Sequence, residues 1–139
     1  EFVPVVKIDY LEDNRLYVTQ SGPGVGDLNV TLLSVSPGAS EGWTLLTGDV
    51  GAPTGSGPLL GIYPDAQTWF LFFSTPIGDG NPLHFPVPSQ FGLFPNNPFA
   101  VGPGSVSILA GQTLDFVCAI FGPNLTYLGK SNVARLAFQ

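Results

Sequence analysis

Apolar and polar residues alternate most clearly from Gln112 to Phe121, QTLDFVCAIF. The even positions of this stretch from 114 to 120 are all apolar: Leu114, Phe116, Cys118 and Ile120. Alternate residues of an extended strand share a face, so these four side chains predict one side that faces a core. The other side becomes apolar only in the later half: Val117, Ala119 and Phe121. The pattern therefore predicts a central strand that is covered on both sides towards its end.

Other short stretches repeat the pattern less completely. In Leu28 to Val35 (LNVTLLSV), apolar and polar residues alternate, which predicts a half-buried strand. Thr68 to Phe73 (TWFLFF) is apolar at every position but the first, and we expect a strand buried on both faces. Asp79-Gly80 is a dipeptide typical of hairpin turns.

Glycine and proline separate these stretches, with 18 Gly and 14 Pro in 139 residues. No segment has helical periodicity over ten or more residues, and turn residues recur at short intervals. The sequence therefore predicts an all-β fold, an antiparallel β-sandwich that is jelly-roll-like, with residues 14–139 as one domain. A chain of this length can bury a core without disulfides.

Residues 1–13, EFVPVVKIDYLED, predict an additional N-terminal strand. The apolar face of this strand is formed by Phe2, Val6, Ile8 and Tyr10. Lys7 and Asp9 lie on the opposite face. Such a strand either pairs within its own sandwich or adds to an open sheet edge of a neighbouring copy, as a donor strand. The sequence leaves both arrangements open.

Charge and composition exclude some classes of function and favour a location. The net charge is −6 with only four basic residues, so we expect no nucleic-acid partner. The sequence has no 18-residue apolar run, so we also expect no membrane span. The lack of Met and of a basic leader favours a secreted protein, extracellular or at the cell surface, after removal of a signal peptide. Cys118 is the single cysteine and reads as a small buried hydrophobe.

Few residues are suited to catalysis or metal binding. His84 is the single histidine, which excludes a multi-histidine zinc site and offers no supported Ser-His-Asp arrangement. We therefore predict no catalytic, cofactor or metal site, and no enzyme. The carboxylates are scattered, and a calcium site built across loops is left open, with Asp79-Gly80-Asn81 as its best candidate loop.

Three residues are candidates for contact with carbohydrate. Trp43 follows a polar turn and is a candidate for stacking on a sugar ring, which would make polysaccharide a partner. Asn29 and Asn124 each begin an Asn-X-Thr triplet, the acceptor pattern for N-glycosylation.

Two stretches carry a resemblance to a known family. Gly24 to Ala39 (GVGDLNVTLLSVSPGA) and Ala110 to Phe138 (AGQTLDFVCAIFGPNLTYLGKSNVARLAF) contain the opening "G-x-G…PGA" and closing "SN-x-hydrophobic" units of that family. In these units the chain resembles the C-terminal β-sandwich domain of secreted surface proteins of planctomycete-type bacteria, over roughly residues 16–138. The resemblance implies an extracellular, non-enzymatic surface module. Residues 1–13 lie outside it.

The sequence thus leads to two functional hypotheses. The first is a structural subunit that assembles with copies of itself into a filament or surface layer, through exchange of the N-terminal strand. The alternative is a carbohydrate-binding accessory module of a larger secreted protein.

Overall fold

The computed structural model of the chain describes residues 14–22, 25–89, 91–95 and 106–139. Within these ranges the chain forms seven strands, one α-helix and two short 3-10 turns. The strands are β1 (Arg15–Gly22), β2 (Val25–Leu33), β3 (Glu41–Thr47), β4 (His84–Pro86), β5 (Thr113–Phe121), β6 (Tyr127–Lys130) and β7 (Ala134–Ala137). The helix α1 is Ala66–Ser74, and the 3-10 turns are Ser107–Leu109 and Pro123–Leu125. The predicted N-terminal strand lies outside the described residues.

The strands form two antiparallel sheets. β1 pairs with β2 to make a two-stranded sheet. The larger sheet has five strands in the order β4, β3, β5, β6, with β7 also paired to β5. The strand β6 lies along the C-terminal end of β5 and β7 lies along its N-terminal end, so the two share one edge of that strand. These sheets confirm the predicted all-β, antiparallel, sandwich-like fold.

The strand β5 is the centre of the larger sheet. Its even side chains, Leu114, Phe116, Cys118 and Ile120, belong to the main core. Val117 on its other face is fully buried in a second cluster with Leu45 and Ile62. Both faces of the strand are therefore covered, as its sequence predicts.

The larger sheet has an inner face, which carries the even side chains of β5, and an outer face on the opposite side. The two-stranded sheet covers part of the inner face. Leu16, Val18, Val30 and Leu32 point into the main core, whereas Tyr17 is exposed. The alternation predicted for Leu28 to Val35 is therefore confirmed for Val30 and Leu32. Side chains from outside the strands complete this core layer: Val35, Val87, Phe94, Val106 and Phe138.

The prediction of a strand at Thr68 to Phe73 is wrong, because this segment lies in α1. Asp65 caps the helix: its Oδ1 accepts from the Thr68 N–H at 2.9 Å, and the Thr68 hydroxyl oxygen accepts from the Asp65 N–H at 3.0 Å. That hydroxyl also lies 2.7 Å from the carbonyl oxygen of Leu46, to which it donates, so α1 is fastened to β3. The hydrogen-bonded cap outweighs the strand preference of the aromatic residues.

The turn predicted at Asp79-Gly80 is present, with Gly80 at a φ of 84°. It does not close a hairpin, because the segment before it is helical rather than extended. It lies in the connection from α1 to β4, where the Gly78 N–H donates to the His84 carbonyl oxygen at 3.0 Å.

We predict that Asp65→Ala lowers the free energy of unfolding by about 1 kcal/mol at pH 7. Burial raises the pKa of Asp65, but hydrogen bonds from the N–H groups of Gly48 and Thr68 outweigh it, and the net pKa lies below its ordinary value. A lowered pKa stabilises the fold above the unfolded value of about 3.9 and loses this contribution as pH falls through the folded value.

Urea denaturation at pH 7 and near pH 2.5 measures this effect. The difference between the parent chain and Asp65→Ala should shrink at the lower pH, whereas Asp49→Ala, at an exposed position of the same region, should change little at either pH. A difference that stays constant with pH would contradict the assignment.

Candidate functional site

The outer edge of β2 is the first candidate site. On its inner edge, β2 pairs with β1 from Arg15↔Leu33 onwards. On its outer edge, the Leu32 N–H donates to the Phe94 carbonyl oxygen at 2.7 Å, and the Phe94 N–H donates back at 3.2 Å. Within the described ranges, Phe94 is the one residue that pairs with this edge.

The direction of the remaining groups follows from strand geometry. In an antiparallel strand, alternate residues direct their N–H and C=O groups to opposite edges. Leu28 and Val30 are in phase with Leu32, so their backbone groups point away from β1 as well. Among the described residues, no backbone pairing reaches Leu28 or Val30 on this edge, and a strand edge of this kind can accept an extended segment through main-chain hydrogen bonds.

The edge of β1 is closed differently. The side-chain amide of Asn132 accepts from the Leu16 N–H at 2.8 Å and donates to the Leu16 carbonyl oxygen at 3.0 Å. Farther along, the Gln139 N–H donates to the Gln20 side chain at 2.9 Å. The β1 edge is thus attached to the C-terminal part of the chain, and in the described part of the chain β2 has the more open edge of the small sheet.

The predicted interface residues Phe2, Val6, Ile8 and Tyr10 lie outside the described residues, and their role stays a prediction.

The second candidate site is a group of side chains around His84. Its Nε2 lies 2.6 Å from Oε1 of Glu41, and its Nδ1 lies 3.0 Å from the carbonyl oxygen of Thr75. The Trp43 ring is stacked on the imidazole, with centroids 3.6 Å apart and planes 12° from parallel. The cluster joins β3, β4 and the end of α1.

The hydrogen-bond partners of His84 define where its protons lie. A carbonyl oxygen only accepts, so Nδ1 carries a hydrogen that points to Thr75. The other ring nitrogen, Nε2, is engaged by the Glu41 carboxyl group. Both ring nitrogens are engaged with protein groups, an arrangement that suits a structural connection between strands.

Trp43, the candidate for sugar stacking, is only partly exposed. Besides His84, its ring contacts Phe72 at a centroid distance of 4.6 Å and Phe121 at 6.1 Å. Stacking on a carbohydrate stays a prediction. Two aromatic side chains near this point are more exposed than Trp43: Trp69 is 42% exposed and Tyr127 is 51% exposed.

Trp69 and Tyr127 line an apolar groove between α1 and the outer face of the larger sheet, with a volume of about 330 Å³. All its lining side chains are hydrocarbon or aromatic: Leu45, Leu59, Leu60, Trp69, Phe72, Ala119, Phe121 and Tyr127. The sequence reasoning missed this groove because it treated Thr68 to Phe73 as a strand. Read as a helix, the same residues place Trp69, Phe72 and Phe73 on one side at spacings of three and four.

The two glycosylation triplets lie in different surroundings. Asn124 is exposed in the 3-10 turn after β5, with a φ of 59°, and Thr126 of the same triplet is exposed too. Asn29 is half-buried within β2, opposite Thr19 of β1. Glycosylation at Asn29 and Asn124 stays a prediction.

The thiol of Cys118 and the carboxylate of Asp115 are both held inside the fold. Cys118 is fully buried, and burial raises the pKa of its thiol to about 12, so the thiolate nucleophile is suppressed. Asp115 is buried and pairs with Arg135 through two hydrogen bonds of 2.7 and 2.9 Å, and Arg135 also donates to the Gly51 carbonyl oxygen. In the described part of the chain, no three His, Cys, Asp or Glu residues are grouped to hold a metal ion.

Comparisons of the chain with protein-family models, with curated proteins and with solved structures found no match. The class of the protein therefore rests on the fold and the site themselves: it is an all-β, sandwich-like protein with an apolar groove on the outer face of its larger sheet. In the described ranges, the outer edge of β2 pairs at Phe94 alone. Among the described residues, no helix is long and apolar enough to cross a membrane.

We predict that His84→Ala lowers the free energy of unfolding by about 2–4 kcal/mol, because it removes two buried hydrogen bonds and uncovers one face of Trp43. Chemical denaturation followed by tryptophan fluorescence measures the loss. Gln112→Ala, at an exposed position just before β5, is the control and should change stability by less than about 0.5 kcal/mol. Unchanged stability of His84→Ala would contradict the structural role.

Proposed function

We propose that this chain is a non-enzymatic structural subunit of an extracellular filament or surface layer. Residues 1–13 of one copy would add as a strand to the outer edge of β2 in the next copy. The observation that supports this proposal is the β2 edge, where the backbone groups of Leu28 and Val30 point away from β1 and, within the described ranges, only Leu32 is paired, with Phe94.

The unequal size of the two sheets, counted over the described residues, supports the same proposal. A two-stranded ribbon is marginal on its own and needs further strands or packing for stability. Here it faces a five-stranded sheet, and the uncovered part of the core layer is filled by loop side chains such as Phe94 and Val106. A third strand along β2 would widen the smaller sheet and bury more apolar surface.

The position of Asn14 favours exchange between copies over pairing within one. The Asn14 N–H donates to the Ser34 carbonyl oxygen at 2.6 Å, so the described chain begins beside the C-terminal end of β2. A strand that arrived there from its own copy would run parallel to β2. A strand from another copy is free to run antiparallel, which is the more stable pairing per residue.

The sequence of residues 1–13 is suited to such a donor strand. Val6 and Ile8 would supply apolar side chains to one face, while Lys7 and Asp9 would stay in solvent. A head-to-tail contact whose rotation does not close into a ring propagates into a fibre.

We expect the full chain to form regular filaments in electron microscopy, and the double variant Val6→Asp/Ile8→Asp to form none while it keeps its circular dichroism spectrum. Charges on the apolar face of the donor strand would have to be buried without a partner. The matched control, Lys7→Ser/Asp9→Ser, changes two residues of the opposite face and should still form filaments.

A second variant tests the acceptor edge. Leu28→Pro removes an N–H that points away from β1, so it should block assembly without disturbing the β1–β2 pairing. Each variant alone has one intact half of the junction, and a mixture of the two should form a larger species than either, seen by light scattering after size-exclusion chromatography. A mixture that behaves as the sum of its parts, or a full chain that stays monomeric, would refute strand exchange.

A further inference from the structure

The helix α1 presents an unusual amount of aromatic surface to solvent. Trp69, Phe70 and Phe73 are 42%, 69% and 78% exposed. The helix, AQTWFLFFS, has no charged residue along its length. Exposed apolar surface of this extent is typical of an interaction site rather than of a free surface.

The exposed rings lie beside the apolar groove. Phe73 is stacked near Trp69, with ring centroids 6.4 Å apart, and Trp69 itself lines the groove. Tyr127 lines the groove from β6 and is 51% exposed. A protruding ring and a cavity are therefore next to each other on the same face of the molecule.

The size of this surface suits a protein contact between two copies. Since an aromatic side chain presents roughly 150–250 Å², the exposed fractions of Trp69, Phe70, Phe73 and Tyr127 leave on the order of 500 Å² of ring surface per copy. Two such faces together reach about 1,000 Å², the lower bound for a specific interface.

We propose that α1 is a self-association surface, through which two copies pair about a two-fold axis and each inserts its Phe73 ring into the groove of the other. In an isologous contact the same patch must supply both the protrusion and the cavity, as this one does. A cavity of about 150 Å³ is enough to hold a benzene molecule, so the groove of about 330 Å³ has room for a phenyl ring.

The chemistry of the groove supports an apolar side chain as its occupant. Its lining side chains are aliphatic or aromatic, and only Trp69 and Tyr127 among them carry a polar group, so the groove suits an apolar ring better than the many hydroxyl groups of a sugar. The pairing is independent of strand exchange, because α1 lies against the outer face of the larger sheet and the two-stranded sheet lies against the inner face.

The test uses the full chain with Val6→Asp/Ile8→Asp, in which filament growth is blocked. Light scattering and sedimentation over a range of concentrations should then show a dimer of the 14.6 kDa chain. Adding Phe73→Ser should raise the dimer dissociation constant on the order of 100-fold or more, since two buried rings are lost per dimer. If this parent is monomeric up to millimolar concentration, the proposal is overturned, whatever the fate of strand exchange.

Two further variants separate the groove from a general loss of hydrophobicity. Ala119→Leu partly fills the groove without adding charge and should also weaken the dimer. The control, Phe91→Ser, removes a ring that is 81% exposed near Phe94, on the side of the smaller sheet, and should leave the dimer intact. A dimer that survives both Phe73→Ser and Ala119→Leu would overturn the proposal, as would a monomer that binds the neutral probe N-phenyl-1-naphthylamine at one molecule per chain.

Discussion

The structure depends on the burial of β5 on both faces and its pairing on both edges. Along one edge it pairs with β3, from Glu41↔Phe121 to Thr47↔Asp115, and along the other edge it pairs with β6 and β7. One face carries the main core and the other carries the groove beneath α1. Both layers of the molecule, and both proposed contact surfaces, are therefore positioned by this one strand.

Hydrogen bonds from side chains replace backbone pairing at two places in the sheets. Between β6 and β7, the Cys118 N–H donates to the Ser131 hydroxyl at 2.8 Å, and the Ser131 N–H donates to the Cys118 carbonyl oxygen at 2.8 Å. The neighbouring Asn132 makes two hydrogen bonds with Leu16 of the other sheet. Ser131 thus continues the pairing of the larger sheet, and Asn132 attaches the smaller sheet to it. Both residues therefore have a structural role that requires no ligand.

The sequence could predict the parts of the fold in which a pattern of period two reflects burial. β5 and the later part of β2 are of this kind, because each has a buried face and a run long enough to show it. The helix could not be predicted in this way. A segment of nine residues is too short to show a helical period, and its Phe and Trp residues favour strands. Its signal was the cap, with Asp65 three residues before Thr68. The groove was missed together with the helix. The partners of Trp43 and His84 could not be predicted either, because Glu41, Phe72 and Phe121 are brought to them only by sheet pairing.

A low content of charge has the same consequence at both proposed contacts. Only 10% of the residues are charged, and natural sheet edges and apolar surfaces are usually protected by charged side chains. On β2, the side chains flanking the edge from Leu28 to Leu33 carry no charge, and α1 carries none. Strand addition runs along the smaller sheet, whereas pairing through α1 acts on the opposite side of the larger one. The two contacts therefore do not compete for surface: the first would extend an assembly along its axis, and the second would join neighbouring chains side by side, as a filament or a layer requires.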